Sequence, residues 1–153
     1  MNADRKELLE STFTTVLEQF AFMFAEPAGK EEFPTDRDRY VQATLRFVGP
    51  MTGQLVLAVP EEECVVYAAN ILGTDPDDGE AQDDAADSFK ELVNVTTGQV
   101  LTALAGEEVV FDLSVPELGE LTPGQWTELL HDPDTFPFLV DDSPLLFCLK
   151  IDD

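Results

Sequence analysis

Basic side chains are scarce in this sequence. Among its 153 residues, 8 are lysine or arginine and 32 are aspartate or glutamate, so the formal net charge at pH 7 is −24. The basic residues are scattered along the chain, at Arg5, Lys6, Lys30, Arg37, Arg39, Arg46, Lys90 and Lys150. Binding to phosphate backbones or anionic lipids needs clustered lysine and arginine. We therefore expect neither nucleic acid nor a membrane surface as a partner.

Histidine and cysteine are also too few for several kinds of site. The single histidine, His131, lies in a turn-like HDPD segment, and we interpret it as a surface turn residue. The two cysteines, Cys64 and Cys148, are flanked by apolar residues and have no CxxC partner, which predicts buried free thiols. A metal centre built on histidine or cysteine and a conventional Ser-His-Asp triad are therefore not expected.

The chain also lacks long apolar runs. None approaches the ~20 residues that a membrane-spanning helix needs, and the first residues, MNADRKELLE, lack the apolar core of a secretory signal. The expected compartment is the cytoplasm. Hydrophobic residues still make up 44% of the chain, which argues against disorder. The length fits one domain over residues 1–153.

Hydrophobic periodicity predicts a first helix over residues 4–25. Its apolar stripe would be formed by Leu9, Phe13, Val16, Leu17, Phe20 and Phe24. Leu8 and Phe22 fall on the far side of this stripe. We therefore expect another element or another subunit to cover the helix there.

The remaining pattern predicts an α+β domain. Residues 39–60 alternate as two strands around a Gly/Pro turn, residues 61–73 form a helix that ends at Gly73, and 107–118 form a strand. A short helical turn is expected around Trp126 to Leu130, and residues 136–152 form a closing hairpin that turns at Asp142–Ser143. Strands joined by tight turns indicate an antiparallel sheet with helices packed on it.

A second long helix is predicted over residues 83–105, and its two faces differ in kind. One face is apolar and would pack in the core; it contains Ala85, Phe89, Leu92, Val93, Thr96, Val100 and Leu104. The opposite face contains Asp87, Glu91, Asn94 and Gly98. A glycine within a helix costs roughly 1 kcal/mol relative to alanine. Such a glycine is typical of a place where another molecule must approach the helix backbone.

Three interpretations of this polar face are open from the residues alone. Glu91 and Asn94 are neighbours at i, i+3, so the amide could orient a water for hydrolysis of a partner's acyl phosphate. The carboxylate could then pair with a lysine of that partner, which would supply any metal. The same face could instead bind a partner without catalysis, or it could be an ordinary solvated face. An enzyme that acts on a small molecule is disfavoured, because the sequence shows no set of His, Ser, Cys or metal-ligating residues that would form a catalytic pocket.

The segment DSFKELVNVTTG (residues 87–98) resembles the signature helix of the CheC/CheX/FliY family of chemotaxis phosphatases, Glu-Leu-x-Asn-x-x-x-Gly. The similarity extends over nearly the whole chain. TGQLVLAVP and the helix ending in ILG resemble that family's first hairpin and second helix, DLSVPEL resembles the strand after the active helix, and TFTTVLEQFAFMFAEP resembles the opening helix. This resemblance implies a CheC/CheX-like fold.

The resemblance also implies a function. Proteins of this family dephosphorylate the aspartyl phosphate of the CheY response regulator. Glu91 would contact the receiver's active-site lysine and Asn94 would position the attacking water, while Asp87, Lys90 and Gly98 would belong to the partner-binding surface. The Mg²⁺ would belong to the receiver, so no cofactor of this chain's own is implied.

The number of motif helices implies a CheX-type protein. The first helix has Glu18 followed by Ala21 and therefore lacks the amide, which leaves one site per chain. CheX-type relatives are homodimers through their sheet edges, so a homodimer is implied here. The alternative is a CheX-like module that binds a receiver or dimerises without catalysis.

Overall fold

Seven antiparallel strands form a single sheet in the computed structural model, which describes residues 3–152. In chain order the elements are α1 (Ala3–Val16), a π-helical segment (Leu17–Ala21), β1 (Ala25–Pro27), β2 (Tyr40–Val48), β3 (Gly53–Pro60), α2 (Glu63–Leu72), α3 (Gly79–Asp83), α4 (Ala85–Ala105), β4 (Asp112–Leu113), β5 (Glu117–Leu121), α5 (Pro123–Leu130), β6 (Thr135–Val140) and β7 (Ser143–Ile151). The strand order is β1-β6-β7-β3-β2-β4, and β5 also pairs with β2. The predicted antiparallel α+β architecture is confirmed.

The helices cover the two faces of the sheet unequally. Alternate strand residues such as Leu45, Leu57 and Phe147 are buried in one cluster with the apolar faces of α1, α2 and α4. Helix α5 covers part of the other face, where Trp126 is fully buried and stacks on Tyr40 with ring centroids 4.1 Å apart. Helix α4 therefore lies on the large core and exposes its opposite side.

The first helix ends earlier than the sequence predicts. It becomes π-helical at Leu17 and stops at Ala21, because Phe22 adopts a left-handed backbone with φ of 55°. Phe24 therefore leaves the apolar stripe and is 70% exposed, so its predicted place in the core was wrong. Residues Ala25–Pro27 form β1, a strand that the sequence analysis missed, and pair with β6.

Leu8 and Phe22, which were expected to be covered, are 40% and 70% exposed. No element within residues 3–152 buries them. A second subunit is the other cover that the sequence suggests for these two side chains.

Two further boundaries differ from prediction. The segment 107–111 lies outside any strand, because only Asp112–Leu113 and Glu117–Leu121 reach β2 for pairing. The closing hairpin turns at Asp141–Asp142, one residue earlier than predicted, with positive φ at both residues. Two central residues with positive φ are typical of a type I′ hairpin turn, which suits aspartate.

The cysteine and histidine predictions are confirmed. Cys64 and Cys148 are free and buried, and burial together with the nearby Glu61 raises the pKa of the Cys64 thiol to about 12. His131 is exposed at the end of α5, with its Nδ1 2.9 Å from the Thr127 carbonyl oxygen. No helix within residues 3–152 is both long and apolar enough to cross a membrane.

Asp132 and Lys150 form a short ion pair beside the closing hairpin. The Lys150 Nζ lies 2.7 Å from the Asp132 carboxylate, which also accepts a hydrogen bond from the Asp134 backbone N–H at 2.9 Å. Partial burial raises the pKa of Asp132, but these hydrogen bonds outweigh it and hold the pKa below the ordinary 3.8. The pair therefore stabilises the fold above pH ~4, and its contribution is lost as pH falls further.

We expect Asp132→Asn to lower the free energy of unfolding by about 1 kcal/mol at neutral pH, since both partners are partly exposed. Urea unfolding at several pH values should show this gap closing below pH ~4. Asp77→Asn, at an exposed turn residue, is the control and should change little. A gap that stays constant through acid pH would contradict the assignment to this carboxylate.

Candidate functional site

Helix α4 presents the predicted polar stripe on the side away from the core. Asp87 and Glu91 are exposed, while Asn94 and Gly98 are half-buried. At 100° per residue these four positions lie within about 60° of one another. The structure therefore brings all four predicted residues to one narrow strip of surface.

The buried face of α4 is wider than the sequence predicts. It comprises Ser88, Phe89, Leu92, Val93, Thr96, Thr97, Val100 and Leu101, whereas Ala85 and Leu104 are only partly buried. Thr97 tolerates burial because its hydroxyl donates a hydrogen bond to the Val93 carbonyl oxygen at 2.7 Å. The packing on this side holds the polar stripe in a defined orientation.

The amide and carboxylates of the stripe are not engaged within the chain. Among residues 3–152, the side chains of Asp87, Lys90, Glu91 and Asn94 take part in no hydrogen bond or ion pair. Lys90 is half-buried and lies one turn before Asn94. The donor and acceptor groups of Asn94 and the carboxylate of Glu91 are therefore free to contact another molecule.

Gly98 is not required by the packing of the chain itself. A Cβ built on Gly98 would meet no atom within 4 Å outside the local helix backbone. Its backbone is helical, so no unusual φ requires glycine either. The missing side chain opens space on the outside of the helix, which is the space that a close-approaching partner would use.

The structure also places other elements around the stripe. On one side, α1 and α4 enclose a groove of about 500 Å³, and on the other, Gly98 and Thr102 border a smaller recess closed by Phe111 and Leu113. Neither of these recesses was predicted from the sequence. A faint signal for the groove is present in the sequence of α1 and the π-helical segment after it, where uncharged polar residues recur at Ser11, Thr15 and Gln19 with i, i+4 spacing.

The amide and carboxylate of the stripe can both hydrogen-bond a small molecule such as water. No group of three or more His, Cys, Asp and Glu side chains within residues 3–152 is arranged to hold a metal ion.

Comparison with known families decides the classification. A family model described as "Chemotaxis phosphatase CheX" matches residues 41–132, which include all of α4. This chain belongs to the CheX family. A search of curated protein sequences found no match.

Solved structures of CheX proteins share the fold. CheX from Desulfovibrio desulfuricans is 16% identical with a TM-score of 0.68, and the alignment covers 97% of this chain and 99% of that one. CheX from Vibrio vulnificus is 19% identical with a TM-score of 0.66 and coverages of 98% and 97%. A CheX–CheY–BeF₃–Mg²⁺ complex from Borrelia burgdorferi gives 18% identity, a TM-score of 0.67 and coverages of 99% and 100%.

Proposed function

We propose that this protein hydrolyses the aspartyl phosphate of a CheY-type receiver, with Glu91 and Asn94 as its reactive pair. The observation that supports this most directly is the free Glu91–Asn94 pair on the exposed side of α4. The family relationship supports the reaction class. The Borrelia complex shows that a relative of the same fold binds CheY together with BeF₃ and Mg²⁺.

The chemistry divides between the two chains. Asn94 would donate and accept hydrogen bonds, which lets it hold a water in line with the phosphorus–oxygen bond. Glu91 would pair with a lysine of the receiver, because a carboxylate facing the phosphoryl group would be repelled. The receiver would supply the phosphoryl group and its Mg²⁺. Gly98 would let the receiver approach the helix, and Asp87 and Lys90 would border the contact.

Decay of a phosphorylated CheY-type receiver tests the proposal. The receivers of the same genome should be phosphorylated and followed with and without this protein. Faster loss of the phosphoryl group supports the phosphatase. Binding without faster decay would favour the alternative, a receiver-binding module without catalysis. If no receiver binds this protein and none loses its phosphoryl group faster in its presence, the proposal is refuted.

The Glu91 carboxylate should contribute chiefly to docking. We expect Glu91→Lys to raise KM for the phosphorylated receiver about tenfold and to change kcat little, since it places two positive groups opposite each other. Initial rates over a range of receiver concentrations measure both constants. Glu128→Lys, at an exposed residue of α5, makes the same change elsewhere and should have no effect. A loss of kcat at unchanged KM would assign Glu91 a chemical role instead.

The family likeness also supports a homodimer and action in the cytoplasm as parts of the proposal. The exposed Leu8 and Phe22 side chains offer apolar surface for a second copy. Sedimentation equilibrium of the purified protein tests the dimer, and a monomer at micromolar concentration would contradict it.

A further inference from the structure

The groove between the first helix and α4 lies beside the polar stripe of α4, and none of its lining side chains is charged. Ten residues line it, and the polar ones are Ser11, Thr12, Thr15, Gln19, Gln99 and Thr102. None of the ten is acidic or basic, although 26% of the chain is charged. The groove, like the smaller recess beside Gly98, therefore carries no charged side chain on a chain that is rich in them.

The groove adjoins the polar stripe of α4. Val95 lies one turn after Glu91, and Thr102 lies one turn after Gly98 and borders both this groove and the smaller recess. A partner whose surface covers Glu91 and Gly98 would therefore also reach the rim of the groove. No other element within residues 3–152 occupies it.

Carboxylates stand at the edges of the groove. Glu91 precedes Val95 by one turn on α4, and Glu18 is adjacent to Gln19 in the π-helical segment that follows α1; both glutamates are exposed. The uncharged residues that line the groove therefore form a neutral strip between Glu91 on one side and Glu18 on the other. Such a strip repels an anionic group less than the acidic surface around it does, and its carboxylate borders can attract basic groups at the margin of that partner.

The surface around an aspartyl phosphate is anionic at its centre. A phosphoryl group carries about −1.5 to −2 charges at neutral pH, and a protein of net charge −24 would repel it from most directions. An uncharged strip reduces this repulsion where the two proteins must touch. It also makes other approach directions less favourable.

We propose that the uncharged α1–α4 groove is the part of the docking surface that receives the receiver's surface next to its phosphorylated aspartate. This inference rests on the proposed function. Its role is selection and orientation of the receiver, separate from the water-positioning role of Asn94. Thr15, Gln19 and Gln99 then determine specificity through neutral contacts.

A single-charge substitution tests the groove. Gln99→Glu and Gln19→Glu change charge with almost no change in size, and both positions are exposed, so the fold should be kept. Gln82→Glu, at an exposed residue of α3 outside the groove, is the matched control. The probe is a CheY-type receiver loaded with beryllofluoride and Mg²⁺, whose binding is measured by titration at low and high salt.

We expect each groove variant to raise Kd about tenfold at low salt and to recover towards wild type at high salt, because salt screens exposed charges. Dephosphorylation at saturating receiver should keep its wild-type kcat. Groove variants that bind as tightly as Gln82→Glu, or more tightly than wild type, would overturn the inference and leave the phosphatase proposal standing. A wild-type protein that neither binds nor dephosphorylates any receiver refutes both.

Discussion

Asn94→Ala is expected to slow dephosphorylation of the bound receiver by about 100-fold or more. The amide is the only group of the pair that can both donate to and accept from a water, and alanine can do neither. Single-turnover decay of the phosphorylated receiver at saturating protein measures the effect without a contribution from weaker docking. Binding of the beryllofluoride-loaded receiver should change little.

The fold should not suffer from this substitution. Asn94 is half-buried and has no side-chain partner among residues 3–152, and alanine has a higher helix propensity than asparagine. Asn70→Ala on α2 is a matched control, since Asn70 is also a half-buried helical asparagine. It should keep full activity. Wild-type kcat in Asn94→Ala would remove the amide from the mechanism, whatever the family relationship.

The features that could be predicted from the sequence are those that depend on residues close together in the chain. The stripe of α4 could be predicted because all of its members lie within one helix, whose geometry follows from sequence spacing. The end of α2 could be predicted because Gly73 adopts the left-handed conformation that glycine favours, with φ of 73°. The antiparallel sheet followed from strands joined by short turns.

The end of α1 could not be predicted in the same way. The stripe from Leu9 to Phe24 continues at helical spacing, and the residues after Phe20 have no strong helix breaker before Pro27. In the structure a π-helical segment adds residues to the turn, and Phe22 then reverses the backbone. Pairing of Ala25–Pro27 with β6 accompanies this reversal. Such long-range pairing overrides a local preference of a few tenths of a kcal/mol per residue.

The recesses beside the polar stripe could not be predicted from local sequence patterns either. The groove needs residues of α1 and α4 that are about 80 positions apart, and the smaller recess needs Phe111 and Leu113 to fold back against Gly98. The segment that contains them was predicted as a continuous strand over residues 107–118, whereas it pairs with β2 only at Asp112–Leu113 and again from Glu117. Spacing within a helix predicts which side chains project together, but it does not say what lies beside them.

Phe89→Ala is expected to lower the free energy of unfolding by about 3–5 kcal/mol. The Phe89 ring is fully buried and packs edge to face on Tyr67, with centroids 5.8 Å apart. Removing it leaves a cavity between α2 and α4 that such a tightly packed cluster can fill only in part. Urea unfolding followed by circular dichroism measures the loss.

Phe24→Ala makes the same change at an exposed position and should cost less than about 0.5 kcal/mol. The comparison also tests the orientation of α4, because Phe89 and the Glu91–Asn94 pair lie on opposite sides of that helix. Similar losses of unfolding free energy for the two variants would mean that Phe89 does not face the core. The polar stripe of α4 would then not face solvent. A large loss at Phe89 alone, with activity kept in the folded fraction, would support the placement of the stripe that the proposed function requires.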